Sequence, residues 1–509
     1  MAETVNGDAF RDRLLLDLRR SVTVSHERLT AAKAAGTPCV DPEHAFALAG
    51  MVEIHTQTGD GEMLAWARDD LLWLVQSAIQ PDGNVRPFMT SLRHLQPFCE
   101  AFSALTQKEL LSEGEREGSA EQIAASASSK FDYLDWGPHN RATVDGASLL
   151  WASRAVPDHP DALKWRQYGE ALLADSWGHW SIEDASIYMP LWMVYLLTGA
   201  EAMGRREEFA GLVTTRYYFE YWAQLLTPNG MLPDWGDADW TLSWEWYVAS
   251  FVAAGSAYRD GRYLWCAARI YDAYAGYRGI EGREGTPLDA YATYCAALAL
   301  RWLDTSLLLV PYALHTSHEA LEELVGKKIV FRNDAARGGA YGLFNYRDEG
   351  PYASVARDYL NQQLAAYEEK PHHGHADEQS LVLLLESNTV LLADGGYRLG
   401  ITPEAYRADF FHNRIVARPG FPVQGDIFEY IAQNRMYSHV QTEKVHFGTF
   451  GLLDYSRTRL VDQETGYTGD RVVLFVPESG AYVVIDSIRV DRAGHKTFAN
   501  VWHPEHVLH

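Results

Sequence analysis

Leu307-Leu308-Leu309-Val310-Pro311 divides this chain into two kinds of sequence. Before it, apolar residues recur at the three-and-four spacing of helices; after it they alternate as in strands. Working backward, residues 8 to about 306 read as helix after helix. Asp41-Pro42 opens one helix as N-cap and first turn. Asp60 opens the next, with Leu64, Ala67, Leu71, Leu74, Val75 and Ala78 on one face, and Gln80-Pro81-Asp82-Gly83 closes it. Further helical runs are expected over 92–112, 118–130, 141–156, 158–176, 184–203, 205–226, 241–258, 260–278 and 286–306. Ile79-Gln80-Pro81-Asp82-Gly83 before Pro87 is echoed by Leu226-Thr227-Pro228-Asn229-Gly230 before Pro233. Recurrent helix pairs with such exits predict a ring of hairpins, an (α/α) toroid; a plain helical bundle is the alternative.

Working forward, strands are expected over 328–331, 340–346, 380–385, 389–393, 414–418, 427–432, 452–460, 472–476, 481–490 and 497–502. Gly, Asn and Asp punctuate them, which predicts an antiparallel β-sandwich. The fold class is therefore α+β multidomain: an N-terminal (α/α) toroid over 1–312, then a C-terminal antiparallel β-sandwich over 313–509. Asn500-Val501-Trp502-His503 still reads as strand, so a sandwich truncated at residue 509 is an open expectation.

A net charge of −24 argues against nucleic acid as a partner. An acidic glycan would need a local basic groove, for which Arg141, Arg154, Arg414 and Arg435 are available. No apolar run is long enough to span a membrane, and Leu14-Leu15-Leu16 is too short for a signal peptide. A cytoplasmic protein is expected as the sequence stands, or a periplasmic or secreted one if a leader has been removed. Cys39, Cys99, Cys266 and Cys295 lie far apart and read as reduced, buried thiols. The 16 Trp and 28 Tyr suit a carbohydrate cleft as well as a core.

Candidate chemistry gathers in four places. In Pro371-His372-His373-Gly374-His375-Ala376-Asp377, three histidines and an aspartate crowd together. A hairpin over 380–393 brings Asp394 back toward His375, and Phe411-His412-Asn413-Arg414 adds another imidazole. Two imidazoles and a carboxylate suit a zinc-like ion; a polar loop with surface histidines is the plainer reading. Asp135-Trp136-Gly137-Pro138-His139-Asn140-Arg141 starts a helix at a loop mouth. Tyr188 follows Asp184 by about one turn near another helix start. Pro233-Asp234-Trp235-Gly236-Asp237-Ala238-Asp239-Trp240 offers three carboxylates and two indoles.

A β-eliminating lyase must remove the proton beside a uronate carboxylate. That proton becomes acidic only when Asn, His, Arg or a metal neutralises the carboxylate. A base takes it and an acid protonates the leaving oxygen, so an Asn, Tyr and His set suffices without an organic cofactor.

The run His373-Gly374-His375-Ala376-Asp377, the hairpin, Asp394-Gly395-Gly396-Tyr397 and His412-Asn413 resembles the heparinase II/III-like polysaccharide lyases. That resemblance implies a toroid joined to a β-sandwich and β-elimination on an acidic polysaccharide or oligosaccharide. It implies Asn140, with His139, as the neutralising group, Tyr188 as acid and base, and His373 as the base for the opposite epimer. It implies a structural zinc on His375, Asp394 and His412, and a second tyrosine matched by Tyr406 or Tyr397. Arg141, Trp235, Asp237, Trp240, Tyr406 and Arg435 are the expected substrate contacts. Two other readings stand beside it. A toroidal glycoside hydrolase would pair Asp237 or Asp239 with Glu183 or Glu245; a sugar-binding protein would bind without turnover. Each residue also has an ordinary structural role: Asn140 as a helix cap, Tyr188 and the indoles as core, the three aspartates as turn residues.

Overall fold

The computed structural model describes residues 7–80, 85–90, 93–132, 135–181, 183, 185–238, 244–280, 285–320, 327–333, 339–346, 375–386, 389–394, 407–422, 425–432 and 440–505. The chain divides into two compact units. The first comprises Met1–Ser181, Pro190–Arg216 and Trp244–Pro311; the second comprises Ile182–Met189, Tyr217–Ser243 and Tyr312–His509. Together they carry the two expected architectures, a helical toroid and an antiparallel β-sandwich.

The helices run α1 (Gly7–Ala34), α2 (His44–Thr58), α3 (Gly61–Ser77), α4 (Leu95–Gln107), α5 (Glu113–Ser129), α6 (Asn140–Ala155), α7 (Ala162–Ala174), α8 (Tyr188–Ala202), α9 (Arg206–Ala210), α10 (Val213–Leu225), α11 (Trp244–Tyr258), α12 (Gly261–Ile280) and α13 (Ala290–Trp302). Within the first unit they form two layers. Helices α6, α11 and α13 are buried along most of their length, as inner helices apolar on every side must be. Helices α1 and α3 bury only one stripe, Phe10, Leu14, Leu18 and Val22 on α1 and Leu64, Ala67, Leu71 and Leu74 on α3. Around the inner layer α11 packs on α13, α13 on α2, α2 on α4 and α4 on α6. Gly146 and Gly169 let α6 and α7 touch backbone to backbone, since a Cβ at 169 would lie 2.8 Å from the Gly146 carbonyl oxygen.

Polar contacts fix the inner helices against each other. Arg301 on α13 pairs with Glu100 on α4 at 2.7 Å and stands 3.6 Å from both Glu53 on α2 and Glu201 on α8. Tyr294 donates to Glu100 at 2.8 Å and Trp302 Nε1 to Glu201 at 2.9 Å. One cation among three carboxylates is tolerable because burial raises Glu53 despite the opposing pull of Arg301.

The second unit carries β1 (His318–Ala320), β2 (Lys328–Arg332), β3 (Tyr341–Asn345), β4 (Ser380–Glu386), β5 (Thr389–Ala393), β6 (Ile415–Pro419), β7 (Val440–Thr449), β8 (Asp454–Asp462), β9 (Tyr467–Val476), β10 (Ala481–Val490) and β11 (Lys496–Asn500). Among the described residues they form a five-stranded sheet in the order β1-β2-β3-β4-β5, a four-stranded sheet β10-β9-β8-β7 and a pair β11-β6, all antiparallel. Ile329, Phe331, Phe344 and Leu381 of the first sheet pack on Val473 and Phe475 of the second, which makes a sandwich core.

Three sequence expectations need correction. Residues 427–432 are not a strand: Ile427–Ile431 is a short helix, because Asp426 accepts from the Phe428 amide at 2.9 Å and caps it. Strand β7 escaped notice because its pattern mixes Gln, Thr, Glu and Lys with exposed apolar residues and shifts register between Lys444 and His446. The run 205–226 breaks into α9 and α10 at Gly211, whose amide caps α9. Asp60 caps α3 as expected, accepting from the Glu62 amide at 3.1 Å.

Candidate functional site

The candidate site of the second unit is built on the β4–β5 hairpin. Leu385 faces Val390 and Glu386 faces Thr389, so the chain doubles back and Asp394 returns beside Ser380. Ser380 Oγ donates to Asp394 Oδ2 at 2.7 Å, and the Asp394 amide donates to the Val382 carbonyl at 2.7 Å. His412 Nδ1 donates to the other Asp394 oxygen at 2.6 Å. Asn413 seats this strand: its side-chain amide reaches the carbonyls of Leu381 and Ala393 at 2.9 and 3.2 Å. Arg471 braces the base by donating to the carbonyls of Gln379 and Asn413, each at 2.7 Å. Gln379 holds φ +59, a left-handed backbone rare for a residue with a side chain.

His375 begins the described part of this segment, and its partner comes from a distant loop. His375 Nε2 donates to Asp237 Oδ1 at 2.8 Å. Arg407 clamps the same carboxylate, Nε to Oδ1 at 3.1 Å and Nη2 to Oδ2. Asp237 is 0% exposed, His375 3% and Arg407 5%, so the ion pair of Asp237 and Arg407 and the imidazole beside it meet out of water. The loop that carries Asp237 is tied to the approach to α8. The Ser186 amide donates to the Trp235 carbonyl at 3.0 Å, and Ser186 Oγ reaches Asp234 at 3.3 Å. Tyr188 follows two residues later as the first residue of α8, half-buried, its amide donating to the Ala185 carbonyl at 3.2 Å. A continuous bonded path therefore runs from the turn before Tyr188, through Trp235 and Asp237, to His375.

Burial lowers the His375 pKa and the neighbouring His412 lowers it further, against the upward pull of Asp237. Burial also pushes His412 down, but the Asp394 carboxylate outweighs it and raises the His412 pKa. Burial pushes Asp394 up, and His412 and Ser380 more than reverse that. The two imidazoles, with ring centres 5.2 Å apart, thus lean toward opposite protonation states.

His375, Asp394 and His412 have the donor types a zinc ion takes, but their arrangement is that of hydrogen-bonded pairs. Two ligands on one tetrahedral zinc stand roughly 3.3 Å apart, wider than the 2.6 Å between His412 Nδ1 and Asp394. Among the described residues no group of three His, Cys, Asp or Glu side chains is placed to hold a metal ion. His412 Nε2 is buried with no hydrogen-bond partner among the described residues, which is a place for one further ligand.

The chain aligns over 88% of its length with a heparinase III structure at a TM-score of 0.50 and 14% identity, covering 64% of that structure's chain. This is the heparinase III fold. A second heparinase III crystal structure aligns at a TM-score of 0.49 and 13% identity, over 88% of this chain and 63% of its own. Heparan sulfate lyase from Pedobacter heparinus aligns at 0.47 and 13%, over 86% of this chain and 60% of its own. The chain thus spans less than two thirds of the length of these structures. No family model and no curated protein sequence matches it.

On the heparinase III fold the expected site residues fall as follows. In the first unit, His139 occupies the N-cap position of α6 and donates from Nε2 to the Trp136 carbonyl at 3.1 Å; Asn140 is the first residue of that helix, 3% exposed. Arg141 pairs with the buried Asp135 at 2.7 Å. In the second unit, Trp235 is 2% exposed, with Lys328 Nζ 4.6 Å from its ring centre, so it sits in packing. Asp237 is enclosed by His375 and Arg407. His373, Asp239, Trp240, Tyr397, Tyr406 and Arg435 lie outside the described residues. Sequence reasoning missed Arg407, Ser186 and Ser380 as partners. An arginine that closes on an aspartate 170 positions away leaves no local mark.

Proposed function

We propose that this protein is a polysaccharide lyase that cleaves a uronate-containing acidic glycan by β-elimination, leaving a 4,5-unsaturated uronate. The observation that carries the reading is the bonded path from the turn before Tyr188 through Asp237 to His375, set in the heparinase III fold. It supports a fixed spacing between the start of α8, which carries Tyr188, and His375.

Within the proposal, Asn140, with His139 beside it, neutralises the uronate carboxylate and so acidifies the C5 proton. Tyr188 removes that proton and returns it to the departing glycosidic oxygen in syn elimination; for the opposite epimer His373 is the base. Asp237 and Arg407 hold His375, two residues after His373 in the sequence. A structural zinc on His375, Asp394 and His412 is part of the proposal only as a stabiliser, and no step runs through it. No organic cofactor is invoked.

The hydrolase reading gains little, because both Asp237 oxygens are already committed to Arg407 and His375. An acid–base carboxylate would have to face the glycosidic oxygen. The test is a panel of alginate, glucuronan, hyaluronan, heparan and ulvan-type glycans, followed by the ultraviolet absorbance of the unsaturated product. Turnover that Tyr188→Phe reduces at least about 100-fold supports the lyase. Reducing-sugar release without that absorbance would replace it with a hydrolase.

A further inference from the structure

A cavity of about 380 Å³ lies within the first unit, at the end where α2 and α13 begin. Its size is that of a small-molecule site. Ser21, Val24, Ser25 and Arg28 line it, at the three-and-four spacing that sets them on one face of α1. Two other hydroxyls of α1 bond back along the helix. Ser21 Oγ donates to the Asp17 carbonyl at 2.9 Å, and Thr23 Oγ1 to the Arg19 carbonyl at 2.8 Å. Ser25 instead turns to α2: its Oγ lies 2.7 Å from Nδ1 of His44, the first residue of that helix. Both side chains stand in the cavity wall. Burial lowers the His44 pKa, Asp41 opposes that, and Arg28 lowers it further. The neutral imidazole is therefore favoured, and its Nδ1 can accept the serine proton. The wall that leads into α13 is tied down on two sides. The Leu288 amide donates to Ser21 Oγ at 2.8 Å, and Arg278 of α12 donates to the Pro287 carbonyl at 3.0 Å.

We propose that Ser25 and His44 are a nucleophile and its base, and that they hydrolyse a small carboxylic ester in this cavity. The activity stands apart from the lyase reading and shares no residue with it. A hydroxyl within hydrogen-bond reach of a free imidazole is the working unit of nucleophilic acyl transfer. Ser25 Oγ attacks the acyl carbon while His44 Nδ1 takes the hydroxyl proton. The bond from the acyl carbon to the alcohol oxygen then breaks, and His44 returns the proton to that oxygen. Water attacks the acyl-serine with His44 again as base, which releases the carboxylic acid and restores Ser25. Arg28, close enough to act on His44, and the start of α13 at Ala290 supply positive charge for the oxyanion. The cavity also restricts the substrate. Asp41, Glu43 and Asp289 share its wall, and burial, Asp41 and Asp289 together push the Glu43 pKa up. An anionic alcohol would add to that repulsion, so the ester is one of an uncharged or cationic alcohol.

The experiment treats the full chain with a fluorophosphonate probe and maps the adduct by mass spectrometry. Hydrolysis of p-nitrophenyl acetate, acetylcholine and acetylsalicylate is then followed for wild type, Ser25→Ala and His44→Gln. These esters present an uncharged, a cationic and an anionic leaving alcohol. The expected result is an adduct on Ser25, turnover of the first two esters ahead of the third, and a loss of at least about 100-fold in either variant. Cleavage of acidic glycans should be the same in Ser25→Ala as in wild type, so failure of one activity leaves the other to be judged alone. Ester hydrolysis equal in wild type and Ser25→Ala would overturn the proposal, since exposed side chains would then be the catalyst. Fastest turnover of acetylsalicylate would overturn the substrate class. The probe needs no variant: if Ser25→Ala does not fold, a wild-type protein that takes no label at Ser25 and hydrolyses none of the esters rejects the pair.

Discussion

Asp237→Asn removes one charge from the buried cluster while keeping its shape. Arg407 and His375 are then left 5% and 3% exposed, facing an amide. Breaking a buried pair by deleting one partner costs about 3–5 kcal/mol, mostly because the stranded charge has lost its water. For a cooperative unit of a few hundred residues each kcal/mol lowers Tm by about 2–4 °C, so the loss is roughly 6–20 °C. Scanning calorimetry is the assay, because two compact units can melt in two transitions and only that of the second unit should move. The double variant Asp237→Asn, Arg407→Gln should recover part of the loss, since the stranded cation is gone. In the same variant His375 loses its charged acceptor and turnover should fall. A Tm within about 2 °C of wild type, with no coupling in the double variant, would refute a desolvated Asp237–Arg407–His375 cluster.

Glu245 supplies a pH signature. Its folded pKa, raised to about 8 by burial, exceeds its unfolded value, so its protonated form stabilises the fold fully only below the unfolded carboxylate range. That contribution is lost as pH rises toward 8, and denaturant midpoints should fall across that window in wild type and flatten in Glu245→Gln. Gly261→Ala should strongly destabilise the first unit, because the new Cβ would sit 1.8 Å from the Leu308 carbonyl oxygen; unchanged thermal stability would contradict that packing. If zinc stabilises the hairpin cluster, elemental analysis should find about one ion per chain and chelation should lower Tm before it lowers initial rate. A metal-free protein with full stability would leave the hydrogen-bonded pairs as the whole of that cluster.

Period and punctuation carried the architecture. Asp60 and the apolar stripe behind it wrote α3 into the sequence, and Gly211 marks a break that the helical period alone hid. The hairpin over β4 and β5 was legible because alternation and a short turn leave one way to pair. These are local effects, acting within a few residues through backbone geometry and side-chain spacing. Residues 427–432 show their limit, since a single cap at Asp426 outweighed β-branched content in an exposed segment.

The sequence by itself determined the order of the two architectures and the grouping of His375, Asp394 and His412, because hairpin return is a short-range constraint. Only tertiary structure decided that Asp237 and Arg407 close on His375 and that Trp235 packs beneath Lys328. Those partners lie far apart along the chain. Burial pairs them: once water is excluded, a charge must be met by whatever opposite charge or ring the fold brings within reach, and no local pattern records which one that is.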